Sequence, residues 1–529
     1  MEDVRLSSLR KTASDNKSGK LKDNAMSVQT GKSATYVVLA IVSLIAVPMV
    51  LTSTSRYGPG LSSDSICYIS AARHLLDGKG FLSYDGEPYT HWPPLFPALL
   101  ALLGLAGLEP VTGARFLNAI TFALVVFCSG VLFTKRIRSP LLIISGAFAV
   151  LVSATMLRIS VYAWTEPLFA LLTILFILSL VRFLSSKKLT LLVLTGIFAA
   201  LACLQRYVGI PIVIAGVVSI MLFMRKCSWW ERIKYSVVFG FISSAGLGLW
   251  FVRNKLVSPT LAAYHLSLDT TVYKEITETL NSLTPWFVTD KISLSSRLVI
   301  IMILICFLLA SVILRNRKFG KEHSYDKMLI KTIITLIVIH TFFTMAAAVF
   351  ANADADYRLF SSIYAFVILF FLIGFEAVGK LLGVVFRKEW AGYLVIAVLV
   401  GIWLLFYPLP IVKQRVRSHR EHGVPGYNSV IWNRSPVINW LKDHKLEGRI
   451  FSNEPHAVYF HVGTYTKFSP RRSDDVESFR RLMSSEQNNY LLWYHNNWRK
   501  NAYNLQEINT MFKLKLLRRM QDGAVLLME

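Results

Sequence analysis

The chain has 529 residues, of which 54% are hydrophobic and 17% charged, with 57 Lys and Arg against 32 Asp and Glu and a formal charge of +25. So low a charged fraction excludes a disordered chain, a coiled coil and an ordinary cytosolic enzyme, and fits a polytopic membrane protein. In that setting the basic excess belongs on loops facing anionic lipid, not on a nucleic-acid surface.

In chain order, residues 1–34 form a polar tail with seven Lys/Arg and no cleavable signal. Apolar stretches near the ~20 residues needed to cross a bilayer then predict eleven spans: 36–53, 113–133, 140–157, 166–182, 189–205, 208–224, 236–252, 297–314, 329–350, 359–378 and 391–410. With the N-terminus inside, the inner segments carry 25 Lys/Arg and the outer loops before residue 411 carry 10. That bias favours N-in and C-out. The expected fold is mainly α, a polytopic transmembrane bundle with juxtamembrane helices and a small outer α/β domain. Its divisions are a cytoplasmic tail (1–34), a membrane domain (35–410, with outer loops 55–112 and 253–296) and an extracytoplasmic domain (411–529).

Three outer segments are too long for connectors. In the first loop, Ser62-Ser63-Asp64 precedes an amphipathic run with Ile66, Ile69, Ala72, Leu75 and Leu76 on one side, and Gly78 supplies a stop. This predicts a short helix on the membrane surface. His91-Trp92-Pro93-Pro94 then opens a second apolar stretch, 95–107, too short to span. Residues 261–283 of the mid-chain loop predict an amphipathic helix covering a cavity. In the C-terminal segment, strands are expected at Arg449–Phe451, Tyr490–Trp493 and Ala524–Met528, and a helix at Val437–His444. Ser452–Gly463 reads as a strand–turn–helix unit without the glycine-rich loop of a nucleotide site. The five cysteines show no metal or disulfide spacing.

Asp64 reads two ways. It is a first-turn acid favoured by the helix N-terminus, and it is a carboxylate at the water–lipid boundary able to take a proton from a hydroxyl. Glu166, in Thr165-Glu166-Pro167, either caps the fourth span or serves chemistry on the same side. Arg206 and Arg358 sit in short outer turns, where an arginine snorkels to headgroups or grips a phosphate through its forked donors.

The run from Ser62 to Phe81 followed by His91–Gly104 resembles the first outer loop of the GT-C superfamily of membrane glycosyltransferases. The likeness is to the branch of protein O-mannosyltransferases and the lipid A aminoarabinose transferase, glycosyltransferase family 39 type. That family has an acid shortly after span one, a juxtamembrane helix, a Pro-Pro-Leu segment and an arginine near the start of span two, here Arg115. The resemblance implies Asp64 and Glu166 as catalytic acids, and Arg358, Arg206, Arg115, His91 and Tyr57 as substrate- or phosphate-binding residues. Asp356-Tyr357-Arg358 matches the family's late Asp/Arg-Tyr element, with Tyr before Arg. His91 stands where the aminoarabinose transferase helps bind a metal, so a divalent metal held by His91 and His265 is a possible cofactor.

The function expected is transfer of a sugar from a polyprenyl-phosphate donor to an acceptor hydroxyl on the outer face of a bacterial inner membrane, with inversion. The partners implied are that donor, a glycan, lipid or protein acceptor and the bilayer, with no nucleic acid. The rival from another class is a transporter or flippase of lipid-linked sugars. It calls for ionisable residues inside the spans, which hold few beyond His340 and Glu376.

Overall fold

A computed structural model describes residues 33–258, 272–319, 324–351, 356–472, 477, 479–480, 488–495 and 503–528. Among these, eight helices are long and apolar enough to cross a membrane. A ninth crossing is a pair, Pro140–Leu151 and Ala154–Val161, bent by 46°. Two shorter apolar helices, Leu189–Gln205 and Tyr207–Phe223, complete a set that matches the eleven expected spans. The chain is a multi-pass integral membrane protein.

The helices that position the site are α1 (Ser33–Ser53), α2 (Ser63–Leu76), α3 (Leu95–Leu105), α4 (Pro110–Thr134), α5 (Glu166–Ser186), α6 (Leu189–Gln205), α7 (Ile210–Phe223), α8 (Ser324–Ala351), α9 (Tyr357–Val385) and α10 (Glu389–His422). The break between α6 and α7 is a single 3₁₀ turn. A Cβ on Gly209 would lie 2.6 Å from the Ala202 backbone, so only glycine lets the two helices meet so closely.

The juxtamembrane helix α2 starts where expected. Ser62 and Ser65 close a reciprocal cap, and Gly78 follows the helix at φ +73°. Its surroundings differ from a helix lying on a membrane surface. Ile66, Cys67, Tyr68, Ile69, Ala71 and Ala72 are all buried. One side packs on α3, where Gly104 admits the Leu76 side chain. The other side meets the outer domain, where His74 Nε2 lies 3.1 Å from the Tyr465 hydroxyl. Small residues at Ala71 and Ala72 let both layers close on it, so one apolar face was an underestimate.

The outer domain carries a five-stranded sheet: β1 (Arg449–Ser452), β2 (Lys467–Phe468), β3 (Asn489–Tyr494), β4 (Leu514–Arg519) and β5 (Gly523–Met528), in the order β2-β1-β3-β5-β4. β1 runs parallel to β2 and β3, and β5 is antiparallel to β3 and β4. Helices Pro436–Asp443 and Pro455–Val462 cover it. The final spanning helix runs 34 residues, about 51 Å at 1.5 Å per residue, so it leaves the membrane and carries the chain up to this domain. In the mid-chain loop the described helix is Val272–Leu283, with Glu275 and Thr279 buried. It packs on α8 and on the first turn of α9. Residues 261–271 of the expected helix lie outside the described residues.

Candidate active site

Two backbone hydrogen bonds bring the first outer loop to the start of α5. Gly60 N–H donates to the Val161 carbonyl at 2.9 Å, and Ala163 N–H donates to the Gly60 carbonyl at 3.0 Å. A Cβ at Gly60 would sit 2.6 Å from Val424 and 2.7 Å from the Tyr162 ring, so glycine is required for this approach. From α4, the buried Asn118 amide holds the carbonyls of Tyr162 and Trp164 at 2.7 and 3.0 Å. Trp164 Nε1 in turn donates to Ser62 Oγ at 2.8 Å. Asp64 and Glu166, 102 residues apart in sequence, therefore come to one rim.

Two arginines join them. Arg358 donates from Nε to Glu166 Oε1 at 2.7 Å and from Nη2 to Asp64 Oδ2 at 2.9 Å. Arg206 Nη1 lies 2.6 Å from the same Glu166 oxygen and donates to Thr165 Oγ1 at 2.8 Å. The Arg358 guanidinium also rests 4.0 Å from the Trp164 ring centre, a favourable cation–π contact. Asp356 caps the first turn of α9 by accepting from Arg358 N–H at 2.8 Å. Burial pushes the Asp356 carboxyl up, against the pull of Arg358. Glu166 is 1% exposed, whereas the Asp64 side chain is 27% exposed. The first is a buried anchor for both arginines; the second faces open space.

That space is a cavity of about 500 Å³, bordered by Asp64, Glu166's neighbour Thr165, Arg206, Arg358, Asp356 and His91. Its apolar wall includes Phe251 and Phe343. Gln205 Oε1 and Thr344 Oγ1 are buried at this cavity and have no hydrogen-bond partner among the described residues. Orphaned acceptors and hydroxyls of that kind fit a cavity built for a polar ligand. Burial lowers the His91 imidazole below its usual range, with Asp64 opposing. Burial, then the Asp64 charge, raises the Tyr68 phenol. Behind the cavity, His340 Nε2 lies 3.0 Å from the Leu359 carbonyl.

Trp164 also stacks on Tyr162, at 4.2 Å between centroids. Both rings line a second cavity of about 520 Å³, bounded also by Ser62, Ser63, Arg158, Trp432 and Glu454. This one opens between the membrane domain and the outer domain.

Five of the residues expected from sequence thus converge: Asp64, Glu166, Arg206, Arg358 and His91. Two lie elsewhere. Arg115 donates to Thr54 Oγ1 and the Leu51 carbonyl, both at 2.8 Å, and so satisfies the end of α1. The Tyr57 ring packs against Gly423 under Arg56, while its carbonyl accepts from Asn428 at 2.6 Å. Neither borders the cavity. His265 lies outside the described residues. Among the described residues no group of three His, Cys, Asp or Glu side chains converges. Trp164 and Thr344 were not foreseen. Trp164 could have been read from its place directly before Thr165-Glu166; Thr344 is one hydroxyl within an apolar span, with no signal of its own.

No protein-family model matches the sequence, and no curated protein matches it. Among solved structures, ArnT from Cupriavidus metallidurans in the apo state aligns with 94% of this chain and 98% of its own, at 13% identity and a TM-score of 0.50. The archaeal oligosaccharyltransferase AglB from Archaeoglobus fulgidus, in complex with an inhibitory peptide and a dolichol-phosphate, aligns over 88% of this chain and 70% of its own, at 13% identity and a TM-score of 0.53. Both are GT-C superfamily membrane glycosyltransferases, and their fold is the one found here, as the first outer loop led one to expect.

Proposed function

We propose that the chain is an inverting membrane glycosyltransferase that moves a sugar from a polyprenyl-phosphate donor to an acceptor hydroxyl on the outer face of the membrane. The observation that carries this reading is the ion cluster. Two arginines and two acids meet in a cavity that has a polar rim and an apolar wall. Such a place suits a ligand with a charged head and a greasy tail.

The donor's phosphodiester is an anion. Arg206 and Arg358 are the cations at hand, and their forked donors suit phosphate oxygens. On donor binding, Arg358 exchanges its bond to Asp64 for one to the phosphate. Asp64 is then free to accept a proton. The acceptor's hydroxyl oxygen forms a bond to the anomeric carbon, and its proton passes to the Asp64 carboxylate. The bond from that carbon to the phosphate oxygen breaks, and its electron pair leaves with the phosphate. Attack from the face opposite the leaving group inverts the configuration, as in inverting glycoside hydrolysis. The arginines stabilise the charge that grows on the departing oxygen. Glu166 does not touch the reacting atoms; it holds both guanidinium groups in place. No step is routed through a metal.

The test is an Asp64→Asn variant of the full chain, purified in detergent and assayed with undecaprenyl-phosphate sugars and a panel of acceptors. Loss of the base is expected to lower transfer by 10²–10⁴-fold with an unchanged unfolding midpoint. Transfer at the wild-type rate would remove Asp64 as the base. Movement of intact donor across vesicles without any transfer would replace the reading with a flippase.

A further inference from the structure

The far end of α5 lies about 30 Å from Glu166, at 1.5 Å per residue over its 21 residues. It therefore borders the opposite membrane face. A cavity of about 480 Å³ opens there, with five cationic side chains around it: Lys187, Arg225, Lys226, Lys327 and Lys331. Among the described residues no carboxylate lines it. Among the described residues none of the five is ion-paired. Glu231, which senses Lys187, is held by the Ser228 N–H and hydroxyl at 2.8 and 3.0 Å. Asp326 stands in the first turn of α8 but is not part of the lining.

Three of these cations have ordinary reasons to be there. Lys187 follows the end of α5 and Arg225 and Lys226 follow the end of α7, where the helix dipoles favour positive charge. Lys187 is even held in the left-handed region, at φ +57°, to close its helix. The same argument fails for Lys327 and Lys331. They occupy the first two turns of α8, the positive end of that helix, and they face three further cations. Charges stacked in this way are stabilised when an anion sits among them. The floor of the cavity is apolar, built from Leu184, Phe223, Met224 and Met328. A freely soluble anion gains nothing from that floor, whereas an acyl chain does.

We propose that this cavity is a binding site for the phosphate headgroup of an anionic phospholipid in the leaflet opposite the catalytic rim. It is independent of the transfer reaction. Basic pockets between membrane helices hold such headgroups, and each Lys or Arg near an anionic surface is worth about 1 kcal/mol. Two lysines removed then correspond to roughly a 30-fold loss.

The full-length protein in neutral detergent is titrated with cardiolipin, phosphatidylglycerol, phosphatidylcholine and inorganic pyrophosphate, and retention is read by native mass spectrometry. A Lys327→Gln/Lys331→Gln variant is compared with a Lys413→Gln/Arg417→Gln variant on α10, at the other face. The exposed Lys327 and Lys331 side chains make loss of folding no obstacle, and an unfolding curve checks it. Expected are retention of the two anionic lipids by the wild type and the α10 variant, at least ten-fold weaker retention by the α8 variant, and little retention of phosphatidylcholine. Equal retention by all three proteins would overturn the site. Pyrophosphate displacing the lipids at equal concentration would overturn the lipid assignment.

Discussion

Replacing Glu166 by Gln tests whether one buried carboxylate organises the catalytic rim. The change keeps the volume and removes the charge that faces Arg206 at 2.6 Å and Arg358 at 2.7 Å. Two unit charges about 4 Å apart attract by roughly 4 kcal/mol at an effective dielectric near 20. Breaking a buried pair by removing one partner costs about 3–5 kcal/mol, because the remaining charges stay desolvated. Here two guanidinium groups are left, 15% and 20% exposed, with Asp64 bonded to Arg358 and the Asp356 carboxyl nearby. Their exposure discounts the figure toward its lower end, about 3 kcal/mol. Each kcal/mol moves a midpoint by about 2–4 °C in chains of 150–250 residues and by less in a longer one. A fall of several degrees is therefore expected in detergent. Transfer at saturating donor should fall by a further factor of about 10²–10³ in the protein that remains folded, since the phosphate clamps lose their alignment. The measurements are a thermal unfolding curve and a transfer rate normalised to folded protein. A wild-type midpoint together with wild-type transfer would refute the assignment of Glu166 as the anchor of both arginines.

Two other perturbations separate structure from chemistry. Arg136 and Glu376 form an ion pair at 3.1 Å, each side chain 4% exposed, on the face away from the catalytic cavity; Arg136→Ala should destabilise the chain by about 3–5 kcal/mol while transfer per folded molecule stays within two-fold, and a selective loss of transfer would contradict that separation. Burial holds the His91 imidazole below its ordinary value of about 6.5, which favours the neutral form in the fold. The unfolded chain then binds more protons, so the contribution of His91 to stability is present above about pH 6.5 and is lost as pH falls through the folded value. A His91→Gln variant should gain stability relative to the wild type between about pH 7.5 and about pH 5, followed by unfolding midpoints; a constant offset across that range would refute it.

Most of the membrane domain was legible because each span is a continuous apolar run with charges at its ends. The bend at 152–153 was not, since residues 140–157 are apolar on both sides of it. The extension of α10 to His422 was not foreseen, since the apolar run ends by residue 410 and the sequence beyond it is basic. In the outer domain β1, β3 and β5 alternate or run apolar and were found. β4, Leu-Lys-Leu-Leu-Arg-Arg, lies at the sheet edge with most of its residues exposed and gives little pattern. Asp64, Glu166, Arg206 and Arg358 were visible as ionisable groups on one side of the membrane. Their pairing was not, because it depends on Gly60 and Asn118, which fix a backbone approach that no periodicity encodes.

The charge balance of the rim leads to a last prediction, which separates a base from other roles for Asp64. Before substrate arrives, Arg358 pairs with Asp64 and Glu166, Arg206 pairs with Glu166, and Asp356 stands beside them. A donor phosphate adds a negative charge, and it must both compete with Asp64 for Arg358 and tolerate its field. At about 6 Å and an effective dielectric near 20, that repulsion is roughly 3 kcal/mol, less whatever solvent screens. Asparagine at position 64 removes the competitor and the repulsion while keeping the shape. Asp64→Asn should therefore bind undecaprenyl phosphate more tightly than the wild type, by about ten-fold after screening, even as it loses transfer. Isothermal titration or native mass spectrometry with the product lipid reads this directly. A carboxylate that instead recruited the phosphate through a bound cation would show the opposite sign. Weaker binding by Asp64→Asn would thus refute a free base at this position, whatever the variant does to turnover.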